Sequence, residues 1–361
     1  MFKVLVLQHL IAAIQITNVW TVETNHPETA LQEYQEYRLG GMVRDDKAFY
    51  LPGSRKSLEK RSLQTGSLIW TAALQGDSQA LWTLHDQMIF GGDTRGNLYA
   101  IDTRSGQIKW TTSTKGMFVS APVVRGEQLW TMNSLGVLQS YEKSTGQWMW
   151  QQTDPSVGNL MLWSARGPIL MGDQVIAGFP SALIQSFDAQ SGRLIWKDSF
   201  QVLPGGSDSF NDLRSVSGRQ KQIFASSFAG NLKVWALETA NPKIKWEKKI
   251  SLYAPVSFYE DLVILSSKDG SVQALDADNG LEKWKFQLSQ GLGSQPVISN
   301  DGIWVSTTDG QVYLLSLDGK LKAKSNSTET PIWNAPLLVE SDEVIVMTSR
   351  GVLRRLKASV F

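Results

Sequence analysis

The chain has 361 residues, of which 42% are hydrophobic and 19% are charged, enough for one large core or two ordinary domains. Its 35 basic and 34 acidic residues give a net charge of +1, so no overall field attracts nucleic acid or anionic lipid. The absence of cysteine excludes disulfide bonds, thiolate nucleophiles and cysteine-ligated zinc.

The chain begins with a short apolar segment. Lys3 precedes the apolar run 4–16, a pattern that resembles the charged and hydrophobic regions of a secretory signal peptide. This run is too short to span a bilayer comfortably, and no other segment approaches transmembrane length. We therefore predict a signal-like segment over residues 1–18 and a folded domain over 19–361. The alternative interpretations of the first segment are a buried leading strand and a misplaced start codon.

Tryptophan recurs along the rest of the chain at regular intervals. Trp70, Trp110 and Trp150 are 40 residues apart (70 to 110 and 110 to 150), and each follows a small-residue turn such as Thr65-Gly66. The full series is Trp20, Trp70, Trp110, Trp150, Trp196, Trp246 and Trp284. Because these seven residues share one repeated position, we predict that their indoles pack between repeats and bind no ligand.

A second marker, usually glycine, precedes each of these turns. It follows a polar residue, as in Asp269-Gly270, and such pairs are strong hairpin signals because they tolerate a positive φ. The marker positions are 56, 96, 136, 182, 230, 270, 310 and 351, with Lys56 and Ala182 in place of glycine. Between the markers lie short apolar runs such as 262–265, which are typical of strands buried on both faces.

This repeat predicts an all-β fold, an eight-bladed β-propeller of four-stranded antiparallel blades. The eighth unit reaches Phe361 before any turn-to-Trp phrase, and the segment around Trp20 matches the strand it lacks. We therefore expect the N-terminal strand around Trp20 to pair with the last blade and close the ring. In the seventh unit Ala323 stands where tryptophan is expected, which predicts that this blade is the loosest.

No residue pattern points to catalysis or to a metal site. His9, His26 and His85 show no ligand spacing, and the stretch 276–280 lacks the downstream glutamate of a calcium loop. We therefore predict no catalytic, cofactor-binding or metal-binding residue.

Residues outside the repeat pattern suggest surface contacts. Lysines crowd the later Trp strands, and we interpret them as protection against edge-to-edge pairing in preference to a nucleic-acid stripe. They are Lys243, Lys245, Lys248, Lys249, Lys283, Lys285, Lys320, Lys322 and Lys324. Trp163 and Trp333 lie off the repeated position and are candidates for surface contact.

The segment 270–284, which reads GSVQALDADNGLEKW, resembles the repeat of pyrroloquinoline-quinone-type propellers. That repeat occurs in quinoprotein dehydrogenases and in BamB, the outer-membrane assembly lipoprotein family, and the length and eight units of this chain are similar to BamB. Leu160-Met161-Leu162 is similar to the Leu-x-Leu of the BamB loop that docks on a POTRA domain of BamA. The chain departs from the family pattern in having Trp163 for an arginine, Asp212-Leu213-Arg214 for Asp-Val-Asp, and no lipobox cysteine.

The resemblance implies a non-enzymatic scaffold of the outer membrane β-barrel protein assembly (BAM) complex, located in the periplasm at the inner face of the outer membrane. Two adjacent loops, 158–168 and 203–216, would grip a BamA-like POTRA domain protein, and unfolded outer membrane β-barrel substrates are a further expected partner. The predicted partner-binding residues are Leu160, Leu162, Trp163, Phe210, Asp212, Leu213 and Arg214. The alternative is a secreted quinoprotein-type enzyme or ligand sensor that binds pyrroloquinoline quinone in the central channel, which would need acids and a basic residue converging on the axis.

Overall fold

The computed structural model describes residues 14–24, 41–53, 56–118, 120–153, 167–179, 181–200, 213–227, 230–237 and 242–360. These residues form 32 β-strands in eight four-stranded antiparallel sheets, the blades of a propeller. Within these ranges there is no helix of the length and apolarity needed to cross a membrane. The predicted all-β, eight-bladed architecture is confirmed.

Seven blades are continuous in sequence. Blade 1 contains β2 (Val43–Arg44), β3 (Ala48–Gly53), β4 (Ser57–Ser62) and β5 (Leu68–Ala73); blade 2 contains β6 (Thr83–His85), β7 (Met88–Gly92), β8 (Asn97–Asp102) and β9 (Ile108–Ser113); blade 3 contains β10 (Val123–Arg125), β11 (Gln128–Met132), β12 (Val137–Glu142) and β13 (Trp148–Thr153); blade 4 contains β14 (Ile169–Met171), β15 (Gln174–Gly178), β16 (Leu183–Asp188) and β17 (Leu194–Ser199). Blade 5 contains β18 (Leu213–Arg219), β19 (Gln222–Ser227), β20 (Asn231–Ala236) and β21 (Lys243–Lys249); blade 6 contains β22 (Ser257–Tyr259), β23 (Leu262–Ser266), β24 (Ser271–Asp276) and β25 (Glu282–Gln287); blade 7 contains β26 (Val297–Ser299), β27 (Gly302–Ser306), β28 (Val312–Leu315) and β29 (Leu321–Lys324).

The eighth blade joins the two ends of the chain. It contains β30 (Leu337–Glu340), β31 (Glu343–Met347), β32 (Val352–Val360) and, as its fourth strand, β1 (Ile14–Glu23). Trp20 faces Arg355 and Val22 faces Leu353 in the antiparallel pair, so the expected closure by the N-terminal strand is confirmed. The strand begins at Ile14, so residues 14–18 belong to the sheet, and the division of the chain at residue 18 stays a prediction. Residues 1–13 lie outside the described ranges.

The marker position forms the turn between the second and third strands of each blade. Gly96 and Gly270 have φ values of +85° and +77°, and Lys56 and Ala182 also adopt a positive φ there, +56° and +61°. Left-handed backbone is costly for residues with a Cβ, which explains why glycine is the usual residue at this position.

The repeated tryptophan packs against the next blade. The Trp110 indole N–H donates to the Lys143 carbonyl of blade 3 at 3.0 Å, and the ring covers Gly146, where an added Cβ would lie 2.5 Å from Trp110 Cε3. The same indole-to-carbonyl bond joins five further pairs of neighbouring blades, through Trp20–Leu63, Trp70–Thr103, Trp150–Ala189, Trp246–Ala277 and Trp284–Leu317. Trp196 differs in bonding to Gln174 Oε1 of its own blade. The predicted packing role is confirmed.

Blade 7 keeps an indole although Ala323 replaces the repeated tryptophan. Trp304 on β27, Leu314 on β28 and Ala323 on β29 form one cross-strand row. Trp304 is fully buried and donates its N–H to the Ser341 carbonyl of blade 8 at 3.2 Å. The large side chain of this row therefore lies on the second strand instead of the fourth. The outer pair of blade 7 is the shortest of the eight, with three registered pairs between β28 and β29, and the expectation of a looser blade stays a prediction.

The closure of the ring explains this change in blade 7. In blades 1–4, 6 and 7, a turn between the third and fourth strands receives the indole of the preceding blade, but the corresponding strands of blade 8, β32 and β1, lie at opposite ends of the chain. Both strands extend beyond the blade instead, with Ile14 paired to Val360 and Ile16 to Ala358. Ile14 and Ile16 pack against the cluster that contains Ala323, so this ribbon occupies the space that an indole at position 323 would need.

The fourth strand of each blade forms the outer edge of the sheet. A β-bulge interrupts its pairing just before the repeated Trp position in all eight blades. The predicted edge lysines lie on β21, β25 and β29 or in the turn before β29, and several are paired, as in Lys245–Asp278 at 2.6 Å and Lys285–Asp269 at 2.7 Å. Bulges and lysines are both known means of blocking edge pairing.

The alternating strand directions assign every loop to one of two faces. The connections between blades and the turns between second and third strands lie on one face, which we call the connection face. The turns before the fourth strands lie on the opposite face, which we call the Trp-turn face. First strands of neighbouring blades contact one another, as β2 does β6 and β22 does β26, so these strands surround the axis.

Candidate partner-binding face

The two loops predicted to bind a partner are the connections on either side of blade 4. One runs from β13 to β14 and the other from β17 to β18, so both belong to the connection face. Most of each loop, 154–166 and 201–212, lies outside the described residues. The predicted contacts through Leu160, Leu162, Trp163, Phe210 and Asp212 therefore stay predictions.

Leu213 is placed in the core. It is the first residue of β18, it is fully buried, and it belongs to the cluster formed by Trp196, Phe200 and Trp235 between blades 4 and 5. Its Cδ1 lies 2.9 Å from the position that a Cβ on Gly178 would take. Leu213 is therefore a packing residue of the propeller, and its predicted contact with a partner stays a prediction.

Arg214 does lie on the connection face. Its side chain is partly buried, its guanidinium donates a hydrogen bond to the Tyr253 carbonyl, and it lies 5.7 Å from the centroid of the Tyr253 ring. Tyr253 belongs to the connection between blades 5 and 6. Arg214 thus links two successive connections, a role that the spacing of sequence motifs did not indicate.

The root of the second loop is held by a buried aromatic pair. Phe200 is fully buried, and its N–H donates to the Ala182 carbonyl at 2.8 Å. The Lys233 ammonium lies 5.2 Å from the Phe200 ring and 5.8 Å from the Trp235 ring, within range of a cation–π interaction. The Trp235 indole N–H donates to Asp198 Oδ2 at 2.7 Å. This arrangement fixes where the chain leaves blade 4.

Sequence reasoning missed Lys233 and Phe200. Lys233 occupies the third residue of the third strand, where neighbouring blades have Gln185 and Gln273. A charged residue in an otherwise apolar or amide position was the available signal.

The turns of the connection face use their polar groups for local hydrogen bonds. Asp93 is fully buried and accepts hydrogen bonds from the Gly76 and Asn97 N–H groups and from the Tyr99 hydroxyl. Burial, followed by the hydrogen bond to Asp93, raises the pKa of Tyr99 well above its usual value. The phenol therefore stays protonated and donates at any physiological pH.

Asp269 in blade 6 also accepts hydrogen bonds within its own turn. Burial by itself raises the pKa of this carboxyl, but hydrogen bonds from Lys285 and Ser271 lower it, and the net effect is a pKa below the usual value. The carboxylate is therefore charged at neutral pH and organises its own turn.

The described residues contain no group of three or more His, Cys, Asp or Glu side chains arranged to hold a metal ion. His85 lies on the Trp-turn face, with Nδ1 2.9 Å from Asp86 Oδ2. Trp333 is partly buried in the connection from β29 to β30, on the connection face. His9, His26 and Trp163 lie outside the described residues.

Comparison with known sequences identifies relatives named outer membrane protein assembly factor BamB. A family model described as outer membrane protein assembly factor BamB matches residues 55–286 and 268–359. The BamB proteins of Legionella pneumophila (strain Paris) and Pseudomonas aeruginosa are each 24% identical, over 215 and 194 residues, which is 57% and 52% of this chain and 54% and 50% of theirs. The chain thus spans about half the length of the relatives it matches.

Solved structures share the fold, and at these identities they show the fold alone. BamB from Moraxella catarrhalis superposes with a TM-score of 0.78 at 19% identity, covering 95% of this chain and 99% of that one. Quinohemoprotein alcohol dehydrogenase from Comamonas testosteroni gives a TM-score of 0.72 at 14% identity, covering 95% of this chain and 76% of that one. Because the family model extends over most of the propeller, the chain belongs to the outer membrane protein assembly factor BamB family.

Proposed function

We propose that this protein is a non-enzymatic scaffold of the BAM complex that works in the periplasm, at the inner face of the outer membrane, and binds a POTRA domain of a BamA-like protein. The observation that carries the proposal is the match of the BamB family model to residues 55–286 and 268–359. The alternative of a quinoprotein-type enzyme rests on the fold alone, because the dehydrogenase is only 14% identical, and we do not propose it.

The geometry of the connection face supports a docking role. The two predicted loops flank blade 4. The residues at the two ends of the second loop, Phe200 and Leu213, are both buried and belong to the same hydrophobic cluster. A loop whose ends are already ordered has less conformational entropy to lose when it binds. Leu160, Leu162, Trp163 and Phe210 would then act as apolar anchors, and Asp212 and Arg214 as the surrounding polar contacts.

The proposal is tested by one substitution on each face. Leu162→Asp places a charge in the predicted contact, and we expect it to weaken binding to a purified POTRA-domain fragment of BamA from the same organism at least tenfold. Leu281→Asp is the matched control, because Leu281 is 64% exposed and lies on the Trp-turn face. We expect the control to bind like wild type and both variants to keep a wild-type Tm. Wild-type binding by Leu162→Asp would contradict the proposal.

A further inference from the structure

Connections between blades begin in the same way at five places in the described part of the chain. The residue that follows the fourth strand, which we call the root of the connection, donates its N–H to the carbonyl of the marker residue in its own blade. The bonds join Leu74 to Lys56, Thr114 to Gly96, Phe200 to Ala182, Ile250 to Gly230 and Leu288 to Gly270, at 2.7–3.0 Å. These five roots therefore occupy equivalent places in the fold.

A polar side chain of the following blade lies beside several of these roots. It belongs to the third residue after the marker of that blade, and it forms a hydrogen bond with the root or with the residue next to the root. Gln139 donates to the Thr114 hydroxyl at 3.2 Å, the Tyr99 hydroxyl accepts from the Gln75 N–H at 2.8 Å, and the hydroxyls of Ser289 and Tyr313 lie 2.6 Å apart. At these three junctions an uncharged amide or phenol is sufficient to support the start of the connection.

The junction between blades 4 and 5 has a cation at this place. Lys233, the third residue after Gly230, is 7% exposed, and its ammonium lies 5.2 Å from the centroid of the Phe200 ring and 5.8 Å from that of Trp235. Its carboxylate partner, Glu247, lies 3.7 Å away on a side chain that is largely exposed. A buried ammonium needs compensation for its lost hydration, and the faces of the two aromatic rings contribute it here. This support depends on the charge of Lys233, whereas the hydrogen bonds of the other junctions do not involve a charge.

Through these rings Lys233 is connected to both ends of the second predicted loop. Phe200 is the root from which that loop begins, and Leu213, where the chain enters β18, belongs to the same hydrophobic cluster as Phe200 and Trp235. The Trp235 indole N–H also donates to Asp198 Oδ2 at 2.7 Å, two residues before the root. An amide or a phenol takes the place of Lys233 at other junctions, so filling the space does not by itself require a lysine.

We propose that Lys233 is a positioning residue for partner binding. Its ammonium holds the Phe200 and Trp235 rings in place, and these rings fix the two ends, Phe200 and Leu213, of the loop predicted to bind the POTRA domain. Because Lys233 is buried, it acts through the two rings and not by touching the partner. The inference rests on the proposed function, since it identifies the group that orders the loop to which such a partner would bind.

The first test needs no partner. Hydrogen exchange of the full chain, read by mass spectrometry, compares wild type with Lys233→Met, which keeps an unbranched side chain and removes its charge, and with Lys233→Arg, which keeps the charge. We expect the Phe200 N–H to exchange at least fivefold faster in Lys233→Met and at the wild-type rate in Lys233→Arg. The Leu288 N–H makes the equivalent bond in blade 6 and should be unchanged in both variants. An unchanged Phe200 rate in Lys233→Met, or the same increase in Lys233→Arg, would overturn the inference.

The second test measures binding of the POTRA-domain fragment. Lys233→Met should weaken it at least fivefold, because a loop with less ordered ends loses more conformational entropy on binding, and Lys233→Arg should bind like wild type. Gln273→Met is the matched control, since Gln273 is the equivalent buried residue of blade 6, and it should also bind like wild type. Wild-type affinity of Lys233→Met, with Leu162→Asp still weakened, would overturn the inference and leave the proposed function standing. If the wild-type protein does not bind the fragment, the proposed function is wrong, and the exchange rates still decide whether Lys233 positions Phe200.

Discussion

Substituting two glycines with the same backbone conformation should separate the role of the indole contacts from that of the turns. Gly146 and Gly126 both have a positive φ, +72° and +57°. A Cβ on Gly146 would lie 2.5 Å from Trp110 Cε3, whereas a Cβ on Gly126 would have no neighbour within 4 Å. Gly126→Ala thus reports the backbone cost alone, and Gly146→Ala adds the displacement of the indole.

The expected magnitudes follow from these contacts. A residue with a Cβ in left-handed backbone costs about 1–2 kcal/mol, which applies to both variants. Forcing a methyl group into a packed site typically costs about 1–3 kcal/mol more, which applies to Gly146→Ala only. For a chain of this length, each kcal/mol lowers Tm by roughly 1–1.5 °C. We therefore expect Gly146→Ala to melt about 1–4 °C below Gly126→Ala.

Thermal unfolding monitored by circular dichroism, at one protein concentration and scan rate, measures this difference. A third protein combines Gly146→Ala with Trp110→Phe, in which the smaller ring leaves space for the methyl group. We expect the two substitutions together to cost less than the sum of their separate effects. Equal Tm values for Gly126→Ala and Gly146→Ala would refute the argument that the indole requires glycine beneath it.

Two further predictions concern the closure of the ring. Ala323→Trp restores the repeated residue but should lower stability by about 1–3 kcal/mol, because Trp304 and Ile16 already fill the site; a higher Tm than wild type would contradict this packing. Glu343 in blade 8 is buried, which by itself raises its pKa, but hydrogen bonds from Lys357 and Arg355 lower the pKa below its usual value. Its contribution to stability is therefore present above the unfolded pKa of about 4.5 and is lost as pH falls through the lower folded value. We expect the Tm advantage of wild type over Glu343→Gln to be largest near pH 6 and to shrink toward pH 3; an advantage independent of pH would show that the charge of Glu343 does not stabilise the closure.

The candidate site was less predictable than the fold. Arg214 lies on the connection face as the family resemblance implies, whereas Leu213, its neighbour in sequence, is buried between blades. Adjacent residues of a strand point to opposite sides, so the assignment of one residue depends on the register of β18 with β19. Nothing in the local sequence specifies that register, because it is set by pairing with a strand that follows a turn.

The positions of tryptophan and of the marker residues were sufficient by themselves to predict the number of blades and the closure by the strand around Trp20. Each of these residues meets a local structural requirement. The marker glycines adopt a positive φ in a turn, and the glycines beneath the indoles leave space for the ring. Only the tertiary structure decided why Ala323 is tolerated. Ile14, Ile16 and Trp304 fill the space beside Ala323; the first two come from the start of the chain and the third from another strand. Comparison of one repeat with the other repeats does not reveal these contacts. Local constraints recur in sequence, whereas the packing at the junction of the two chain ends arises once and can be recognised only in three dimensions.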